Sequence, residues 1–175
     1  GIAAAANEPA LPRIGAAPSF ALTTHDNALL ALANLRGKVL AVTFLFTTCQ
    51  DTCPLLTAKL VNVERKLTAA GEKDVTFVAI TLMPNHDTPE VLKQYGKAHG
   101  ADLSRWSFLT GDAKQIHALA KQYGVFVKTK ATQDEVDHGF LTSLVDREGI
   151  IRVQYMGTRF EPNEMLADLR ALARE

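Results

Sequence analysis

Val39-Leu-Ala-Val-Thr-Phe-Leu-Phe46 is apolar at nearly every position, the pattern of a strand covered on both faces of a sheet. Val75 to Leu82 repeats that pattern. Between these runs Leu56, Leu60, Val63 and Leu67 recur at helical spacing, from Pro54, suited to a first helical turn, to Gly71, suited to a C-terminal stop. Strand, helix, strand is the predicted order. Asp87-Thr-Pro-Glu90 then reads as a capping box opening a helix that runs to about His99. Trp106 to Leu109 follows as a short strand, and Asp112 to Tyr123 as a helix ended by Gly124. Leu141 to Asp146 and Ile150 to Tyr155 flank Arg147-Glu-Gly149 as a hairpin, and Pro162 to Arg174 closes the chain as a helix. Near the start, the turn-prone His25-Asp-Asn27 sits between two short apolar segments, an N-terminal hairpin.

This order predicts an α/β thioredoxin-like fold, with a central mixed sheet flanked by helices and an insertion around 100–137. Residues 1–18 carry Pro9, Pro12 and Pro18 among alanines without periodicity, so they read as a flexible linker or processed N-terminus before a domain over 19–175. The opening Gly1-Ile2 has no initiator Met and no charged segment ahead of a hydrophobic one, which suggests a processed or engineered start, from which an upstream signal or membrane anchor could have been removed.

Composition narrows the classes. The chain has 175 residues, enough for one domain, and its 19 Lys+Arg balance 19 Asp+Glu without a basic run, which argues against a nucleic-acid partner. The longest apolar stretch, Val39 to Phe46, falls far short of the roughly 20 residues of a spanning helix. Only 2 cysteines are present, Cys49 and Cys53, so a disulfide scaffold is excluded and the question becomes what this pair does.

Both cysteines sit where the first long strand gives way to a helix, a place where backbone N–H groups and the helix dipole favour thiolate. The polar Gln50-Asp-Thr52 between them argues against two space-filling side chains. In a continuous helix, Cβ atoms four residues apart lie roughly 5–6 Å from each other, whereas a relaxed disulfide wants about 3.5–4.5 Å. The spacing therefore leans towards a shared metal without forbidding a disulfide. Two thiolates underfill most metals, so a histidine is sought. His25 falls in a turn, His99 near a helix end and His117 mid-helix, places where a packed or solvated side chain is expected. His138 stands directly before the strand from Leu141, which in this order begins close to the cysteines, with Asp137 adjacent to orient its ring. His86, after the second strand, is the weaker candidate. Two thiolates and an imidazole suit Cu(I) or Cu(II), while structural zinc wants a fourth ligand.

Phe46-Thr-Thr-Cys-Gln-Asp-Thr-Cys-Pro54 resembles the F-T-x-C-x-x-x-C-P signature of the Sco/SenC family, copper proteins that assist assembly of the binuclear copper centre of cytochrome c oxidase. Leu35-Arg-Gly-Lys38, Asp87-Thr-Pro-Glu90 and Asp137-His138 followed by Leu144-Val-Asp-Arg-Glu-Gly149 resemble further landmarks of that family in the right order, over about residues 18–174. The resemblance implies Cys49, Cys53 and His138 as copper ligands. Two positions depart from it: Met83-Pro84 stands where many members have Asp-Pro, and Gln50 where the first spacer is usually Pro.

The leading functional expectation is a copper metallochaperone that passes its cargo to thiolates of the copper-accepting oxidase subunit, with other copper chaperones or thiol reductants as further partners. The alternative is a thiol–disulfide oxidoreductase that reduces client cysteines, with Cys49 and Cys53 as its reactive pair. Such enzymes carry Cys-x-x-Cys and a facing cis-Pro, yet here the spacing is longer and no Pro occurs between Pro89 and Pro162. A peroxidase on the same fold wants an Arg near its cysteine, and the sequence offers none close by. A copper cargo and a disulfide-capable pair place the domain in a periplasmic or other extracytoplasmic compartment, tethered to a membrane through its N-terminal segment.

Overall fold

A computed structural model describes residues 10–127, 137 and 139–175. The strands are β1 (Gly15–Ala16), β2 (Ala21–Thr24), β3 (Leu29–Ala31), β4 (Val39–Leu45), β5 (Val75–Thr81), β6 (Trp106–Thr110), β7 (Leu141–Val145) and β8 (Ile150–Met156). The described helices are α1 (Thr52–Ala69), α2 (Pro89–Ala98), α3 (Ala113–Gln122) and α4 (Pro162–Ala173), with a 3-10 turn at Leu32–Leu35. The strands form one mixed sheet in the order β1-β8-β7-β4-β5-β6-β2-β3.

β4 is buried along its whole length, as its unbroken apolar run demands, with β5 parallel on one side and β7 antiparallel on the other. Its side chains alternate between two cores. Val39, Ala41 and Leu45 join Leu56, Leu60 and Leu67 of α1 and Met165 and Leu169 of α4, while Leu40, Val42 and Phe44 join Ile116 and Leu119 of α3. On the first face Phe77, Trp106 and Phe108 stack in series at 5.0 and 5.3 Å, and the Trp106 indole N–H donates to Glu64 at 2.9 Å, which meets a polar atom that burial would otherwise leave costly.

The segment expected to be an insertion around 100–137 contains β6, which continues the parallel set beyond β5, and α3, which covers the second face. A larger departure concerns the expected linker. Residues 10–18 lie along the sheet edge: Gly15 and Ala16 pair with Ile151 and Ile150, the Arg152 guanidinium donates to the carbonyls of Leu11 and Pro12 at 2.7 Å each, and the Tyr123 hydroxyl donates to the Pro18 carbonyl at 2.8 Å. These long-range bonds hold a segment that has no local pattern of its own.

The topology sets where chemistry can occur. The C-terminal ends of β4 and β5 and the beginning of β7 share one end of the sheet, and the Leu82 N–H donates to the Leu45 carbonyl at 2.8 Å, closing β5 against β4 there.

Candidate metal and thiol site

Beyond β4 the chain turns at once, with the Cys49 N–H donating to the Phe46 carbonyl at 3.1 Å, and α1 begins at Thr52. Asp51, at the N-cap, makes no side-chain cap bond; instead the Cys49 sulfur accepts the Cys53 N–H at 3.2 Å. A sulfur thus does the work usually given to a capping oxygen. Cys49 lies ahead of α1, so the two cysteines do not share one continuous helix, and the turn brings Cys49 back beside Cys53.

The two thiols are unequal. Cys49 is 8% exposed and Cys53 fully buried. The Cys53 thiol donates to the Cys49 sulfur, and this bond, helped by the backbone N–H groups of Cys53, Asp51 and Thr52, outweighs desolvation and lowers the Cys49 pKa to about 7. Cys53 moves the other way: burial pushes its pKa up, and the bond to Cys49, the Cys49 charge and the Asp87 charge add to the effect. One sulfur is a ready thiolate near neutral pH and its neighbour holds a proton in reserve. Two adjacent sulfurs of this kind form a donor set that fits a soft, thiophilic metal.

The loop of residues 82–88 packs against the cysteine turn. Asp87 is fully buried, and its carboxylate accepts the Thr47 N–H at 2.9 Å, the Thr47 hydroxyl, the Thr81 hydroxyl at 2.7 Å and the His86 Nδ1 at 2.9 Å. Burial alone would raise the Asp87 pKa, but the bonds from His86, Thr47 and Thr81 hold it below the usual carboxylate range. The Thr48 hydroxyl reaches the Met83 sulfur at 3.6 Å. The cap of α2 is Thr88, which accepts the Val91 N–H at 3.2 Å ahead of Pro89, so the expected capping box shifts by one residue and Asp87 is released to face inward. Thr-Pro was the available signal, since Pro at the first helical position makes the preceding Thr the cap.

Two histidines have contacts elsewhere, His25 with the Phe108 N–H at 3.3 Å and His99 with the Tyr95 carbonyl at 2.8 Å, while His117 reaches the first residue of the 82–88 loop, the Leu82 carbonyl, at 3.3 Å. His86 is held by Asp87 at the edge of the cysteine turn with about half its side chain exposed. His138 lies outside the described residues. Among the described residues no third His, Cys, Asp or Glu joins the two sulfurs in a group that could hold a metal. The carboxylate of Asp137, expected to orient the neighbouring imidazole, accepts from the Thr158 N–H at 3.0 Å and the Thr158 hydroxyl at 2.8 Å and pairs with Arg159 at 3.5 Å. Phe140 stacks on Phe46 at 6.3 Å between centroids, so the start of β7 rests against the cysteine turn. Gly139 is required there, because a Cβ would fall 2.4 Å from the Phe126 carbonyl oxygen.

Fold and site together define a thioredoxin-like protein with a thiol pair where a central strand passes into a helix. Residues 10–174 match the SCO1/SenC family, and the chain belongs to that family. The SCO1 protein homolog of Bacillus subtilis (strain 168) is 28% identical over 155 residues, covering 87% of this chain and 80% of that protein. The chain spans about two thirds of some other relatives (64% and 65%). Among solved structures, BsSco, a member of the Sco family of cytochrome c oxidase assembly proteins in which a disulfide switch was identified, superposes with a TM-score of 0.83 at 25% identity, covering 94% of this chain and 98% of that one. Arabidopsis thaliana ScoI with copper bound superposes with a TM-score of 0.76 at 26% identity, covering 93% and 99%.

Proposed function

We propose that the chain binds one copper ion through Cys49, Cys53 and His138 and carries it as cargo for the copper centre of cytochrome c oxidase. The observation that supports this reading most directly is the Cys49 sulfur held against the Cys53 amide at 3.2 Å, which puts two soft donors side by side at one end of the sheet. Family membership and the copper-bound ScoI relative favour copper as the metal. Cys49 enters binding as a thiolate, Cys53 releases its proton as the metal arrives, and His138 supplies the nitrogen donor that Cu(II) requires. Release proceeds by ligand exchange with thiolates of the copper-accepting subunit. The working unit is the domain from about residue 19 to 175, with residues 10–18 packed on it. Its location in this reading is an extracytoplasmic compartment, periplasmic in a bacterium, with an N-terminal membrane tether. Among the described residues no helix is long and apolar enough to cross a membrane.

Native mass spectrometry after anaerobic loading tests the reading. One copper per chain is expected in either oxidation state, and none in a Cys49→Ser, Cys53→Ser double variant. His138→Ala is expected to lose Cu(II) at least tenfold more than Cu(I), which two thiolates hold almost linearly. If His86→Ala abolishes Cu(II) binding and His138→Ala does not, His86 is the third ligand instead.

The inequality of the two thiols favours a second reading, in which Cys49 attacks a client disulfide and Cys53 resolves the mixed disulfide. Turnover of a disulfide substrate by metal-free protein supplied with a dithiol reductant that returns the Cys49–Cys53 disulfide to dithiol, retained in His138→Ala, identifies that activity.

A further inference from the structure

The buried carboxylate of Asp87 ties together segments distant in sequence. An ionised carboxylate away from water costs several kcal/mol unless its lone pairs are met, and here donors from Thr47, Thr81 and His86 meet them. Thr47 contributes both its N–H and its hydroxyl, and its neighbour Phe46 provides the carbonyl that fixes the Cys49 N–H at 3.1 Å. The next residue, Thr48, is tied to Met83 of the same loop. The cysteine turn is therefore fastened at consecutive positions by residues 82–88, and Asp87 supplies the fastening at Thr47.

We propose that Asp87 is a positioning residue for the cysteine pair: by holding Thr47 it fixes the turn that keeps the Cys49 sulfur against the Cys53 amide. The proposal rests on the reading that this pair is the working site. Sulfurs held side by side have a high effective concentration for one another, which favours any bond they share, a disulfide or a common metal. Freeing the turn dilutes one sulfur about the other. That loss of effective concentration shifts the equilibrium towards dithiol.

The decisive measurement uses metal-free protein equilibrated with glutathione buffers, in which protein dithiol and glutathione disulfide exchange for protein disulfide and two glutathione thiols; trapped thiols are then counted by mass. Asp87→Ala is expected to shift the equilibrium constant about tenfold towards dithiol. Thr47→Val keeps the carboxylate and loses only the hydroxyl donor, so about a threefold shift in the same direction is expected. The double variant should shift no further than Asp87→Ala alone, and Thr47→Ser should behave as wild type. Circular dichroism checks folding; if Asp87→Ala does not fold, Thr47→Val against Thr47→Ser decides. No shift in the folded variants, a shift towards disulfide, or a wild-type pair that forms no disulfide overturns the proposal. Wild-type protein that takes up no copper sinks the copper reading alone, since this equilibrium is measured without metal.

Discussion

At the scale of single residues, the inequality of Cys49 and Cys53 comes from a few N–H groups and one S–H group aimed at the same sulfur. The metal-free, reduced protein should therefore be alkylated first at Cys49, at a rate that rises with pH through about 7 and levels off above it. Cys53, buried and raised, should remain unmodified over that range. Mass-mapped iodoacetamide kinetics check both; equal rates at the two cysteines would contradict the arrangement. The pair itself was legible in the sequence, because a strand-to-helix junction is where backbone donors converge. Asp87 was not: it looked like a cap, and its burial depends on Thr47 and Thr81, which lie 40 and 6 residues away along the chain.

Among the elements, β4, β5 and α1 were readable because their apolar periods state how many faces are covered. β1 was not readable, since two small residues carry no period and its place depends on β8 and the Arg152 guanidinium. That guanidinium also pairs with Asp146 at 3.0 Å and Glu175 at 2.6 Å. Burial alone would raise the Asp146 pKa, but the N–H groups of Ile150 and Glu148 and the Arg152 pair hold it down. A carboxyl lowered on folding stabilises the native state above its unfolded pKa and loses that contribution as pH falls through the folded value. Asp146→Asn should thus be less stable than wild type at pH 7, with the gap closing below about pH 4, near the ordinary carboxylate pKa. Urea titrations over pH 3–7 measure this. Arg152→Ala, which removes the buried guanidinium but leaves the Asp146 carboxylate the N–H groups of Glu148 and Ile150 and Arg13 at 4.0 Å, should cost about 3 kcal/mol at neutral pH, the low end for a broken buried pair.

Over the whole molecule, the cysteine turn, the 82–88 loop and the start of β7 meet at one end of the sheet, so the proposed site is assembled only when the complete topology forms. Fold class and hairpins followed from element order; the meeting of Asp87 with Thr47 required the folded chain. In a host lacking this protein, copper-containing oxidase activity is expected to fall, most visibly when copper is scarce, and the Cys49→Ser, Cys53→Ser variant should not restore it. Full rescue by that variant would remove the thiols from the function. The Arg152 guanidinium has a consequence of another kind. It grips the carbonyls of Leu11 and Pro12 and the carboxylate of Glu175 at once, so the two extremities of the described fold converge on one side chain. A circularly permuted chain, with Glu175 spliced to Ala10 through a short glycine bridge and new ends opened at the turn between β2 and β3, should therefore keep the Arg152 clamp and still fold, which circular dichroism of the permutant checks.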